Sequence, residues 1–359
     1  MSRARREAPE QQAVATGEVS EAFVVVNGVS YHLLVAGEAS CPRPQPARNA
    51  PGGPAGFQQP TGAKGLRRMP ALVLLHGFTG SAQTWLPFLR RFAVGRRVVA
   101  VDLLGHGLSE APRDPGRYAM PHVVADLVAL LDAVGERRAD VLGYSMGGRV
   151  ALHLALRAAG RIRRLVLESS SPGIADPRER ERRREADFEL AGFIEREGLQ
   201  AFVDLWEKLP LFESQSRLPE RVRMRLRAGR LAQRPQGLAN ALRGLGPGSH
   251  APLWGELGRI RPPTLIVAGE LDSKYTAISR EMSRAIPRAR LALVPGCGHA
   301  VHLERPRIFE RLVRAFLEEG WPAAARPGDC RPVRLRPRPL PEAPGEQPEK
   351  MRRRKPDAC

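Results

Sequence analysis

The sequence predicts an α/β protein: a mostly parallel central sheet flanked by helices, with an inserted helical lid. Three observations carry that prediction. From Ala71 onward, short apolar runs alternate with longer amphipathic stretches, the pattern of a parallel sheet covered by helices. The alternation stops over residues 172–262, where Arg/Glu/Leu-rich stretches of helical character follow one another without a strand, and it then resumes. At 359 residues the chain can bury one sizeable core with room for an insertion.

The elements follow in order. Residues 1–20 are charged and aperiodic and are expected to be disordered. Residues 22–26 and 29–35 are β-rich runs joined by Asn27-Gly28, the dipeptide suited to the positive φ angles of a tight hairpin turn. Residues 41–69 turn to Pro, Gly, Ala, Gln and Arg, too poor in apolar side chains to order themselves, and are expected to form a disordered insertion. This leaves residues 21–171 as the first part of the core. Strands are expected at residues 71–75, 97–101, 140–142, 165–168, 264–268 and 291–294, with helices between them. The lid spans residues 172–262 and the second part of the core residues 263–320. Residues 321–359, rich in Pro and Arg, are expected to be a disordered basic tail.

The formal net charge of +19 invites a nucleic-acid or anionic-membrane partner. The composition argues otherwise, because only Lys64, Lys208, Lys274, Lys350 and Lys355 among the 57 basic residues are lysine. An arginine bias of that extent has the look of a genome-wide preference and does not mark a binding face. The unbalanced cluster Arg352, Arg353, Arg354 and Lys355 sits in the tail, where such a run is ordinarily solvated. Cys41, Cys297, Cys330 and Cys359 show no C-x-x-C spacing, which fits a reducing compartment. No apolar run approaches membrane-spanning length, and the first ten residues lack the pattern of a secretory signal. The expectation is a cytoplasmic protein with no membrane insertion, no nucleic-acid partner and no cofactor; whether it is a monomer or a dimer stays open. No histidine pair has the H-E-x-x-H spacing of a zinc site, so no metal is expected.

Chemistry concentrates at the expected strand ends. Gly143-Tyr144-Ser145-Met146-Gly147 matches G-x-S-x-G, follows the apolar Val141-Leu142 and opens a helical run. In that context the serine sits on a sharp strand-to-helix turn that lifts its hydroxyl above the sheet, at the positive end of a helix. A glycine-rich helix start without catalytic function is the plainer alternative. A serine hydroxyl needs an imidazole to accept its proton, and the partners are expected in the order Ser, acid, His. Asp272 follows the strand at 264–268 and His299 the strand at 291–294, so Ser145, Asp272 and His299 form the expected catalytic triad. Glu270 is the competing acid. His76, His106 and His302 are expected to hold loops by hydrogen bonds, and His32, His122, His153 and His250 to be surface or packing residues. Leu75-His76-Gly77-Phe78-Thr79-Gly80 follows the strand at 71–75. The backbone N–H groups of Phe78 and Met146 are therefore expected to form an oxyanion hole. Gly105-His106-Gly107-Leu108-Ser109, after the next strand, is assigned a structural role.

Together these loops resemble the α/β-hydrolase superfamily from residue 71 to about residue 319, with the hairpin as its opening strands. G-Y-S-M-G-G-R at 143–149, S-S-S-P-G at 169–173, R-E-R-E-R-R-R-E-A-D at 178–187, L-W-E-K-L-P-L-F at 205–212, G-E-L-D-S-K at 269–274 and G-H-A-V-H-L-E at 298–304 carry a narrower resemblance. It is to the 2-succinyl-6-hydroxy-2,4-cyclohexadiene-1-carboxylate synthases of menaquinone biosynthesis. The resemblance implies a lyase on a hydrolase fold, eliminating pyruvate from a small-molecule polycarboxylate. Proton abstraction would fall to the triad, with no obligatory acyl-enzyme. It further implies substrate contacts at Tyr144, Arg149, Arg183 and Trp206. Read from the residues alone, Arg149 is equally an ordinary solvated helix residue, Arg182 and Arg184 compete with Arg183, and Trp206 is equally lid packing. Three rivals stand beside this reading: a carboxylesterase or C–C-bond hydrolase using the same triad through an acyl-enzyme, a non-catalytic ligand-binding protein, and a tail that binds an anionic polymer.

Overall fold

The computed structural model describes residues 18–37 and 69–318. The insertion expected at 41–69 lies outside the described residues except for Met69, whose N–H donates to the Gly95 carbonyl at 3.3 Å. The expected tail lies outside them entirely. Of the stretch 1–20 expected to be disordered, residues 1–17 lie outside the described residues, and Ser20 is corrected: it begins strand β1 (Ser20–Val26), which pairs antiparallel with β2 (Val29–Ala36). Asn27 and Gly28, at φ 47° and 77°, make the turn between them.

The chain continues through β3 (Leu72–Leu75), α1 (Leu86–Phe92), β4 (Val98–Val101), α2 (Met120–Ala133), β5 (Ala139–Tyr144), α3 (Met146–Arg157) and β6 (Ile162–Glu168). The helical insertion follows as α4 (Pro177–Trp206), α5 (Glu220–Leu231) and α6 (Pro235–Leu245), with a 3-10 stretch at Pro210–Arg217. The sheet resumes with β7 (Thr264–Gly269), α7 (Ser273–Ala285) and β8 (Ala289–Val294), and α8 (Val301–Glu304) and α9 (Pro306–Glu318) close the described chain. The strands form one sheet in the order β1-β2-β4-β3-β5-β6-β7-β8. Every pairing from β4 to β8 is parallel, and β2 meets β4 antiparallel.

The central strands β3, β4, β5 and β7 are buried on both faces, which explains why they read as continuous apolar runs and not as alternating ones. Side chains still alternate in space. Leu72, Leu74, Val98 and Ala100 point into a cluster with Trp85, Phe88, Phe92, Phe309 and Phe316 of the α1/α9 layer. Val73, Leu75, Val99 and Val101 point the other way, into a cluster with Val123, Leu127, Val150 and Leu154 of α2 and α3. The insertion has a small core of its own, in which Ala191, Ile194, Phe202 and Val203 of α4 meet Leu238, Ala239 and Leu242 of α6. Gly198, at φ 79° and ψ 178°, breaks α4 into two segments.

One expectation is corrected here. His32 is neither a surface residue nor a simple packing residue: it is buried, with Nδ1 2.8 Å from Asp102 Oδ2. Asp102 also accepts the N–H groups of Ala82 at 2.5 Å and Leu108 at 2.8 Å. A carboxylate at the end of β4 thereby ties the hairpin to the loops that follow β3 and β4.

Candidate active site

The parallel strands β3, β5, β7 and β8 all end at one edge of the sheet, and the loops leaving them carry the candidate residues. Ser145 lies between β5 and α3 at φ 50° and ψ −108°, a conformation that costs a non-glycine residue about 1–3 kcal/mol. The glycines on either side permit it. A Cβ at Gly143 would stand 2.4 Å from the Gly147 carbonyl oxygen, and one at Gly147 would stand 2.4 Å from that of Leu75. The turn is held by Ser145 N–H donating to the Glu168 carbonyl at 2.9 Å and Gly147 N–H to the His76 carbonyl at 3.1 Å.

The structure brings Ser145, His299 and Asp272 together. His299 Nε2 is 3.0 Å from Ser145 Oγ, and its Nδ1 is 2.7 Å from Asp272 Oδ2. The imidazole and the carboxylate are buried, while Ser145 stays partly accessible. The second oxygen of Asp272 accepts the Tyr275 N–H at 3.1 Å and caps α7, which fixes the carboxylate plane. Glu270 is exposed and makes no hydrogen bond to His299. The two partner loops are locked to each other: Leu271 N–H donates to the Cys297 carbonyl at 3.0 Å. A Cβ at Gly269 would stand 2.1 Å from the Gly298 carbonyl oxygen.

The loop after β3 is pinned by His76. Its Nδ1 lies 2.8 Å from the Gly77 carbonyl, and its Nε2 accepts the Leu103 N–H at 3.0 Å. That pattern requires the neutral ring, and burial depresses its pKa accordingly. The N–H groups of Phe78 and Met146, on the two loops bordering Ser145, donate to no loop or side-chain acceptor among the described residues.

Arg149, one turn into α3, is buried, with its relative exposure at 6%. It donates to the Leu245 carbonyl at 3.0 Å, but its Nε is buried without a partner. Among the described residues it has no ion pair. Burial lowers its pKa below the ordinary arginine value. Of the three candidate lid arginines, Arg183 is the half-buried one, donating through Nε to Asp187 Oδ1 at 2.9 Å. Arg182 and Arg184 are exposed, and Arg184 pairs with Glu181. Burial raises the Asp187 carboxyl pKa despite Arg183 and Arg149 nearby. Trp206 packs among Phe78, Phe202 and Phe212 at ring distances of 5.3, 5.5 and 5.4 Å, with its indole Nε1 buried and unpartnered. Tyr144 is half-buried, its ring 5.5 Å from that of His299 and 4.6 Å from that of His302. Burial pushes its phenol pKa well up, so it stays protonated.

Three further groups meet this site that sequence reasoning did not single out. The Tyr275 ring lies 4.5 Å from that of His299, and its only sequence signal is its place three residues after Asp272. Phe212 lies 6.2 Å from the same ring, and Arg230 stands over Phe212 while pairing with Glu207 at 2.7 Å. Glu168, fully buried, accepts both the His302 N–H and the His302 ring Nδ1 at 2.9 Å. No group of three His, Cys, Asp or Glu side chains is placed to hold a metal among the described residues.

Comparison with known proteins adds a family. The model of the alpha/beta hydrolase fold matches residues 70–306. A Bacillus subtilis protein named as a putative 2-succinyl-6-hydroxy-2,4-cyclohexadiene-1-carboxylate synthase is 44% identical over 247 residues, spanning 69% of this chain and 90% of that protein. The solved structure of MenH from S. aureus is 36% identical, with a TM-score of 0.68 over 72% of this chain and 96% of its own. The enol-lactonase of Burkholderia xenovorans LB400 is 26% identical, with a TM-score of 0.66 over 82% of this chain and 99% of its own. The chain belongs to the α/β-hydrolase fold family, and within it resembles the 2-succinyl-6-hydroxy-2,4-cyclohexadiene-1-carboxylate synthases.

Proposed function

We propose that the chain is a lyase of menaquinone biosynthesis. It eliminates pyruvate from 2-succinyl-5-enolpyruvyl-6-hydroxy-3-cyclohexene-1-carboxylate to give 2-succinyl-6-hydroxy-2,4-cyclohexadiene-1-carboxylate. The observation that carries this reading is Arg149: a guanidinium buried one turn past the serine, with no carboxylate in ion-pair contact among the described residues and an unpartnered Nε. A buried unpaired charge costs several kcal/mol, and a pocket for a neutral ester has no use for one. A substrate carboxylate would supply the missing counter-ion, in the fork geometry that arginine favours.

In this mechanism Ser145 Oγ takes the ring proton next to the succinyl ketone while passing its own proton to His299 Nε2. Asp272 holds the imidazole in the required tautomer through Nδ1. Negative charge moves onto the ketone oxygen, where the N–H groups of Phe78 and Met146 stabilise it. The ring double bond then shifts, the carbon–oxygen bond to the enolpyruvyl group breaks, and the leaving enolate takes at its methylene carbon the proton held by His299, which gives pyruvate and restores the neutral imidazole. No bond to the serine forms. Arg149, Arg183, Tyr144 and Trp206 line the substrate in this account.

A second reading, hydrolysis of an ester or enol ester through an acyl-enzyme, draws on the likeness to the enol-lactonase and uses the same triad. One experiment separates the two: supply the enolpyruvyl substrate and an activated ester in parallel, and measure released pyruvate against released alcohol, with Ser145→Ala as the blank. Pyruvate release that vanishes in the blank is the expected result. Rapid ester turnover without pyruvate would transfer the assignment to the hydrolase reading.

A further inference from the structure

Tyr275 is one of the groups at the site with no task in the mechanism above. Its position is over-determined: the backbone N–H is tied to Asp272 Oδ1 at 3.1 Å, and the ring stands edge-on to His299 at 4.5 Å with an interplanar angle of 66°. The hydroxyl makes no hydrogen bond to a protein group among the described residues, although the side chain is more than half buried. Its oxygen is not sealed from solvent, so a ligand entering the site can reach it. The charges within electrostatic reach of this oxygen are the Arg149 and Arg183 guanidiniums, which favour its ionised form, and the Asp272 and Asp187 carboxylates, which oppose it. Burial outweighs all of them and keeps the phenol protonated. The hydroxyl is therefore a neutral donor within electrostatic reach of two guanidiniums, of which Arg149 makes no ion pair among the described residues.

We infer that the Tyr275 hydroxyl donates a hydrogen bond to the substrate carboxylate held by Arg149 and Arg183, making Tyr275 a determinant of affinity for anionic substrates. The inference rests on the lyase reading and deepens it. Two guanidiniums supply charge but tolerate many anion positions, whereas a residue tied to Asp272 through its backbone N–H, with its ring against His299, offers a donor at a more closely fixed point. The contact therefore adds to the binding of the carboxylate at that point without taking part in proton removal. Phe212 and Tyr144 border His299 from other directions.

The test is Tyr275→Phe, which keeps the ring against His299 and removes one oxygen. The dissociation constant for the enolpyruvyl tricarboxylate is measured in the Ser145→Ala background with and without the change, and kcat and KM are measured with Ser145 present. A hydrogen bond to a charged group is worth about tenfold or more. The expected result is a dissociation constant and a KM raised by about that factor, with kcat within about twofold. Unchanged binding would overturn the inference and leave the lyase assignment standing. A fall in kcat with unchanged binding would also overturn it, since the ring would then act by positioning His299. If the Ser145→Ala parent does not bind the tricarboxylate and the intact chain releases no pyruvate, the lyase reading fails, and the inference fails with it.

Discussion

At the scale of single residues, Arg149 carries a desolvation cost that the proposed carboxylate contact would explain. Its guanidinium is almost fully withdrawn from water, satisfied in part by the Leu245 carbonyl, and depressed in pKa by burial. Replacing such a charge with an apolar side chain of similar length removes a desolvation penalty of a few kcal/mol. Arg149→Met is accordingly expected to raise the free energy of unfolding by about 1–3 kcal/mol while lowering kcat/KM for pyruvate release by about a hundredfold, mostly through KM. Urea unfolding and steady-state kinetics on the same preparation check both halves. A variant that is less stable than the parent, or that keeps full efficiency, would refute the carboxylate role. The sequence could not show this cost. The motif places Arg149 one turn past the serine, but its burial is imposed by α6 nearly a hundred residues later, and no local pattern announces that cover.

At the scale of elements, the helical insertion is fastened to the sheet edge by the junction between α5 and α6. Gln233 Nε2 donates to the Gly80 carbonyl at 3.1 Å and the Thr79 carbonyl at 3.4 Å, while its Oε1 accepts the Gly107 N–H at 2.9 Å. Arg234 donates to the Ser109 carbonyl beside it. One buried amide thus spans the loop carrying the Phe78 N–H and the loop after β4. Gln233→Leu leaves these groups unsatisfied at about 1–3 kcal/mol, and the Phe78 loop should loosen. The expected outcome is a kcat about tenfold lower with faster amide hydrogen exchange over residues 77–80, read by mass spectrometry; unchanged exchange would show the clamp to be dispensable. Strand-end loops were legible because their signals are local: a glycine run, a turn dipeptide, an apolar run that stops. Long-range fasteners such as Gln233 or the His32–Asp102 pair carry no such signal, since a lone glutamine or histidine in sequence looks like a solvated one. Tyr275 was missed for a related reason: the side of α7 facing His299 is set by how that helix packs on the sheet.

At the scale of the molecule, the α/β class followed from periodicity, because central strands buried on both faces need continuous apolar runs and covering helices, while the narrower fold rested on the strand-end motifs. Burial also gives the molecule an acid sensitivity that composition does not predict. His106 and His250 are held at a pKa of about 3 and His153 at about 4, burial being the largest cause in each case, and His76 is lowered for the same reason. A base whose folded pKa lies below its unfolded value binds fewer protons in the native state, so stability rises with pH between the two values. For His106 the contribution is full above the unfolded value of 6.5 and is lost as pH falls from there towards about 3. By pH 5 that single ring should cost the fold about 2 kcal/mol. The raised carboxyl of Asp187 works in the opposite direction at lower pH. The formal charge of +19 adds repulsion on acidification, but it does so in every variant alike. The comparison that isolates the ring is therefore His106→Phe against the parent, since a phenyl group can retain the edge contact with Phe78, now 5.7 Å between centroids. Losing the bond from His106 Nδ1 to the Leu104 carbonyl shifts the variant's stability equally at all pH values. Between pH 7.5 and 5.0 the parent should lose about 2 kcal/mol more than the variant in urea unfolding; parallel losses would mean that His106 is not held neutral by the fold.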